Sequence, residues 1–267
     1  MTTNSWQWKG KDGGRGGLLY ESGNWGDQLK MLWLAAVLRW KKARGGVVNY
    51  FDPFAGDVHY PLGRKTCFRF EQMRLSALDF IKPMFIDRGL WPSSASAARQ
   101  LVDGRAEVFD ADPDRRANWE NTTGITVLAG ESGWELLERR PLDSDGLWLL
   151  DPYDFIAEWR HVLPLIVAAA KTTSILLYIY NRSARSDEAF REYRAFRNAL
   201  EDTRGQTPKR LGRVAADAFL PRAHHEMLFL PGAADAGVDS IIMLFDELGE
   251  CTVRLDEALR RSAVFDT

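Results

Sequence analysis

Two apolar runs stop abruptly at an Asp-Pro-aromatic step: Val47-Val48-Asn49-Tyr50-Phe51-Asp52-Pro53-Phe54 and Leu147-Trp148-Leu149-Leu150-Asp151-Pro152-Tyr153. Their residue types suit a strand covered on both faces, and proline, with no N–H for the ladder, turns the chain out of the sheet. Both aspartates are therefore expected at strand carboxyl ends. Two shorter runs follow the same rule: Ala106-Glu107-Val108-Phe109 ends at Asp110, and Ile125-Thr126-Val127-Leu128 ends near Glu131. A helix is expected from Asn24 to about Lys42, where Leu29, Leu32, Trp33, Ala36, Val37 and Trp40 recur at helical spacing. Residues 155–170 read as a helix and residues 173–180 as a strand, while Ser186 before Asp187 and Glu188 looks like a capped helix start. Residues 227–230 and 240–245 are expected to form a terminal strand pair.

Between residues 60 and 90 the strand character fades. Met73, Leu75, Leu78 and residues 80–85 suggest helical material broken by Pro83, which marks residues 60–92 as a small helical insertion. Residues 10–17 hold five glycines, but no strand precedes them and no Gly-Lys-Ser/Thr follows. Residues 1–17 are read as a flexible lead, and residues 18–267 as one α/β domain. Alternating strands and helices imply a mainly parallel, right-handed sheet, with an antiparallel strand added at its edge by a closing hairpin.

Composition narrows the class. The 267-residue chain is long enough for a full core, and 45% hydrophobic with 27% charged residues is an ordinary soluble balance. No apolar stretch approaches the roughly 20 residues of a membrane helix, and the amino terminus lacks a signal-peptide core. Two cysteines, Cys67 and Cys251, fall in no metal-ligand spacing. A cytoplasmic location without membrane contact is expected. The net charge of -2 gives no global attraction to nucleic acid. Arg39, Lys41, Lys42 and Arg44 cluster, as do Arg204, Lys209, Arg210 and Arg213, either as solvated faces or as phosphate contacts.

A parallel sheet would gather Asp52, Asp110, Glu131 and Asp151 along one edge, where open α/β sheets bind ligands. Carboxylates there can accept ribose hydroxyls or an exocyclic amine, or face a sulfonium or ammonium charge. Each alone could be a turn or helix cap, and a shared metal ion is the competing chemistry. His224-His225-Glu226 invites a metal reading, but adjacent strand residues point to opposite faces. His59 follows the Gly56 loop closely enough to approach a ligand, whereas His161 is expected to be held by helix packing. No Gly-x-Ser-x-Gly elbow supports an acyl-transfer nucleophile.

Three ordered motifs carry a resemblance: Gly23-Asn24-Trp25-Gly26-Asp27-Gln28-Leu29-Lys30, Asp52-Pro53-Phe54-Ala55-Gly56 and Asp151-Pro152-Tyr153. With Trp91-Pro92-Ser93-Ser94, the chain over residues 18–245 resembles the bacterial large-subunit ribosomal-RNA adenine-N6 methyltransferases. That family shows Gly-Asn-x-x-Asp-x-Leu-Lys, Asp-x-x-Ala-Gly and Asp-Pro-Pro-Tyr in this order. The resemblance implies a Rossmann-like fold that binds S-adenosylmethionine. Asp52, Phe54, Ala55 and Gly56 would form the loop beneath its methionine, and Asp110 would take the ribose hydroxyls. Lys30, Ser94, Glu131 and Ser132 would be further cofactor contacts. Asp151, Pro152, Tyr153 and Asp154 would hold the target base, with Asp151 accepting from its exocyclic amine. Tyr153 and Asp154 replace the second proline and the stacking aromatic of the family pattern, so stacking would pass to Tyr153 or Phe155. Met31 and Phe54 replace two family histidines. A similar Asp-Pro-Tyr ending occurs in the three-Cys-motif partner proteins.

Three functions stay open on the sequence. One is an S-adenosylmethionine-dependent N-methyltransferase acting on a nucleic-acid base, RNA ahead of DNA. Another is a non-catalytic interaction or effector subunit with a protein partner. The third is a metal-dependent phosphotransfer or hydrolytic enzyme using the strand-end acids.

Overall fold

Each apolar run forms a strand of a seven-stranded sheet. The computed structural model describes residues 23–62, 78–140, 143, 145–181, 187–204, 209–215 and 224–235. The sheet strands are β1 (Asn49–Asp52), β4 (Ala106–Val108), β5 (Thr126–Val127), β6 (Gly146–Leu150), β7 (Ser174–Asn181), β8 (Lys209–Ala215) and β9 (His224–Leu230). They lie in the order β5-β4-β1-β6-β7-β9-β8. Every pairing is parallel except those of β9, which runs antiparallel to both β7 and β8.

Seven α-helices are found among the described residues: α1 (Trp25–Ala43), α2 (Ile81–Met84), α3 (Ser94–Arg99), α4 (Pro113–Glu120), α5 (Gly133–Arg139), α6 (Phe155–Ala169) and α7 (Asp187–Arg204). Strand alternation divides the core into two layers. Tyr50, Leu147, Leu149, Leu176 and Tyr178 face α1 and α3. Phe51, Trp148, Leu150, Ile175 and Leu177 face α6 and α7. The single apolar stripe read for α1 understates its burial. Gln28, Lys30 and Lys41 are buried as well, because β9, α3 and the neighbourhood of Leu78 and Ile81 enclose the helix.

Three expectations change. The antiparallel strand lies one place in from the edge, because β8 takes the outer position and β9 fills the gap beside β7. The partner expected for it, residues 240–245, lies outside the described residues, as do Met73, Leu75, Ser186 and the glycine-rich residues 10–17. The ends of the insertion pair as an antiparallel ribbon, β2 (His59–Pro61) with β3 (Leu90–Pro92), which runs too short for a strand pattern conceal. His161 is exposed, since the buried stripe of α6 runs through Phe155, Trp159, Val162 and Ile166 and leaves it on the outer face.

The first basic cluster is largely spent on the fold. Lys41 Nζ lies 2.5 Å and Arg44 Nη1 2.6 Å from the buried Asp235 carboxylate, which Ser174 also meets. Arg39 sits over the Phe80 ring and Lys42 reaches Asp103. Ser174 begins β7, so this latch closes the sheet at the edge opposite the strand-end acids. The side chains of Arg204, Lys209, Arg210 and Arg213 lie outside the described residues.

Candidate functional site

The amino end of α1 is built by its own motif. Asn24 caps the helix, its Oδ1 accepting from the N–H groups of Gly26 and Asp27 at 2.8 and 3.1 Å. The buried Asp27 carboxylate reaches back to the Gly23 N–H at 2.8 Å, and Gln28 donates to the Gly23 carbonyl at 3.1 Å. This fixes the first turn and presents Lys30 one turn further on. Lys30 Nζ lies 2.5 Å from Asp151 Oδ2 and 3.4 Å from Asp27 Oδ1. Burial alone would lower this ammonium, but the charges of Asp151 and Asp27 outweigh it and hold Lys30 well above its ordinary value. Lys30, read as a cofactor contact, thus stands directly against the proposed catalytic aspartate.

Asp52 ends β1 and is buried. Its Oδ2 accepts from the Tyr50 hydroxyl at 2.9 Å and its Oδ1 from the Phe54 N–H at 3.1 Å. Burial pushes its carboxyl up to about 7, because those two hydrogen bonds and Lys30 only partly compensate for lost water, and Asp151 adds a like charge. The backbone knits the next turns together: Phe109 N–H donates to Asp52 O at 2.9 Å and Ala55 N–H to Phe109 O at 3.0 Å. Gly56 has φ +66°, and a Cβ there would stand 2.5 Å from the Tyr60 hydroxyl, so the turn requires glycine.

The same turn meets Asp110. Gly56 N–H donates to Asp110 Oδ2 at 2.9 Å and Asp112 N–H to Oδ1 at 2.8 Å, while Arg115 Nη1 lies 3.6 Å away. Both oxygens are engaged, and each keeps a second acceptor position. Beyond β5, Glu131 is exposed and its N–H donates to Glu135 at 2.7 Å, while Ser132 caps α5 through the Glu135 N–H at 3.1 Å. A Cβ on Gly133 would sit 2.5 Å from the Pro53 carbonyl oxygen, and the Phe54 and Trp134 rings meet edge-on at 4.8 Å. The Asp52 loop, the Asp110 turn and the Glu131-Ser132 turn therefore abut.

The last strand end divides its residues. Asp151 is half-buried and Pro152 buried, Tyr153 is 58% exposed, and Asp154 is exposed at the start of α6 without capping it through its side chain. Burial raises the Asp151 carboxyl, and Lys30 pulls it back. Phe155 is folded into the second core layer against Phe196, ring centroids 4.8 Å apart, which leaves Tyr153 as the exposed aromatic of this segment. Ser94 is buried as the first residue of α3. The bonds that tie α3 to the Asp52 loop run through the Ser93 N–H and the Ser96 hydroxyl to the Val58 carbonyl. His59 is exposed at the start of β2.

Tyr50, Asp27, Tyr178 and His225 belong to this edge and were not singled out as site residues. Tyr50 carried a signal, because it lies two residues before the strand-end Asp52 and so shares a face with it. The expected split of the histidine pair holds: His225 meets Tyr178 at 2.6 Å, whereas His224 packs edge-on against Tyr193 of α7. No group of three metal-ligating side chains stands together among the described residues, and none of the described helices is long and apolar enough to cross a membrane.

No protein-family model and no curated protein sequence matches the chain. Solved structures do. Protein LPL1258 from Legionella pneumophila, a DUF519 protein, aligns over 88% of this chain and 94% of its own, with a TM-score of 0.67 and 14% identity. Aeropyrum pernix fibrillarin, with natively bound S-adenosyl-L-methionine, aligns over 74% of this chain and 76% of its own, with a TM-score of 0.37 and 14% identity. Trm5b from Pyrococcus abyssi aligns over 74% of this chain and 48% of its own, with a TM-score of 0.40 and 12% identity. The order and directions of the strands, with helices on both faces, make this a Rossmann-like α/β fold, which the chain shares with LPL1258.

Proposed function

We propose that the chain is an S-adenosylmethionine-dependent N-methyltransferase acting on a nucleic-acid base through an exocyclic amine of the adenine-N6 kind, with RNA ahead of DNA as substrate. One observation carries the reading: Asp151, backed by Lys30 at 2.5 Å, stands beside an exposed Tyr153 at the sheet edge where the Asp52, Asp110 and Glu131 turns also end.

The donor set suits the cofactor. Carboxylates at three strand ends match two ribose hydroxyls and two cationic centres, and Asp110 retains acceptor positions for the hydroxyls. Residues of the Asp52 loop, with Ser94, Glu131 and Ser132, would complete the contacts. The cofactor would supply an electrophilic methyl group on its sulfonium. Asp151 would accept a hydrogen bond from the amine and aim its lone pair, while Lys30 counters the burial of that carboxylate and holds it in place. Tyr153 would cover the base, and Pro152 and Asp154 would set the turn that presents it.

Asp151→Asn tests the reading, scored as transfer of a labelled methyl group from S-adenosylmethionine into cellular RNA. Turnover should fall at least about a hundred-fold, as for loss of a group acting on the proton of the reacting amine, with cofactor affinity kept. Unchanged turnover removes Asp151 from the mechanism. A wild-type protein that binds cofactor yet methylates neither RNA nor DNA favours the non-catalytic subunit.

A further inference from the structure

The site edge carries a stack of rings that the reaction above does not use. On β7 the side chains of Leu176, Tyr178 and Tyr180 alternate onto the face covered by α1, and β9 sets His225 directly opposite Tyr180. The Tyr180 and His225 rings are 4.7 Å apart and nearly parallel, at 17°. His225 and Tyr178 are 5.9 Å apart at the same angle, and the Tyr178 hydroxyl meets His225 Nδ1 at 2.6 Å. Burial, with lesser effects of His224 and Lys30, pushes the His225 imidazole down to about 3, so the middle ring is uncharged.

The position of this stack is set by the sheet. Lys30 Nζ lies 5.0 Å from the Tyr178 ring centre and also holds Asp151. Register pairs Leu150 with Leu177, which puts Asp151 level with Tyr178 and Tyr180 two residues further out. That offset is about 7 Å along the strand. It is too far for the ring that Asp151 holds to reach, and suits the next unit of an extended polymer. Tyr180 is 38% exposed, while every other residue of β7 is buried. A lone exposed strand tyrosine would mean little. Here the ring lies against His225, which the Tyr178 hydroxyl holds in turn, so its plane is set by a fixed neighbour.

We infer that Tyr180, braced by His225 and Tyr178, is a stacking subsite for an unpaired base adjacent to the one presented to Asp151, so that the substrate is single-stranded nucleic acid and not a free nucleoside. This rests on the base-methylating reading of Asp151. Stacking on an aromatic ring tolerates any base, so the subsite adds affinity for the strand without reading its sequence.

The test is fluorescence anisotropy with a labelled oligoadenylate in the presence of S-adenosylhomocysteine, with thermal melts to follow the fold. Tyr180→Leu should weaken oligoadenylate binding about ten-fold, Tyr180→Phe should restore it, and adenosine binding should be the same in all three proteins. Tyr180→Trp, which enlarges the ring face, should tighten it. Unchanged affinity in Tyr180→Leu, or weakened affinity in a folded Tyr180→Trp, overturns the subsite while leaving the function of Asp151 intact. A wild-type protein that binds cofactor but no oligonucleotide overturns both.

Discussion

Replacing Asp52 by asparagine should change how the protein's stability responds to pH. The carboxyl is 2% exposed, and burial carries it from an ordinary 3.8 to about 7 despite the hydrogen bonds from Tyr50 and the Phe54 N–H. The folded protein therefore holds this proton more tightly than the unfolded chain does. The stabilising effect is complete below pH 3.8 and is lost as the pH rises through about 7. At about 1.4 kcal/mol per factor of ten, the difference between the two values amounts to about 4 kcal/mol across that window. Asparagine keeps an acceptor for the Phe54 N–H, and the Tyr50 hydroxyl can turn to accept from the amide, so little volume or bonding is lost. Urea denaturation of both proteins over a pH series is the assay. The two should be similarly stable at the acid end, and the variant should gain about 4 kcal/mol over wild type toward neutral pH. Parallel stability curves would refute the reasoning and mean that Asp52 binds its proton no more tightly in the folded protein than in the unfolded chain.

Lys30→Met should cost about 3 kcal/mol, because it leaves the Asp27 and Asp151 carboxylates enclosed without their cation. Adding Asp151→Asn should recover part of that loss in a double-mutant cycle read by denaturation, whereas strict additivity would deny the pairing. Gly26→Ala should cost about 1 to 3 kcal/mol, because the new methyl group would collide with the Tyr178 hydroxyl and the His225 ring. A thermal melt as high as wild type would mean that the helix end moves aside freely.

Strand ends were legible because they combine two independent signals, an apolar run and a proline that ends it. Asp52 and Asp151 fell where that pairing put them, and Asn24 capped α1 as the onset of its stripe implied. The ribbon of β2 and β3 was hidden because strands of three residues are too short to show a period. The inner position of β9 could not be read either, since an all-buried strand looks alike at an edge or inside a sheet until its partners are known. Within the site, Lys30 was found through its motif, but its contact with Asp151 bridges 121 positions and has no local trace. The basic run from Arg39 to Arg44 looked like a solvated face. Asp235, far off in sequence, draws Lys41 into the core and ties the exposed Arg44 down beside it.

Calorimetric titration of the purified protein with S-adenosylmethionine and S-adenosylhomocysteine, beside Asp110→Ala, tests the central claim most directly. The account predicts saturable binding of both, weakened about ten-fold or more in the variant through loss of a charge-assisted acceptor. Absence of binding to the folded wild-type protein would contradict the claim that this edge holds the cofactor, and equal affinity in Asp110→Ala would remove that carboxylate from the ribose.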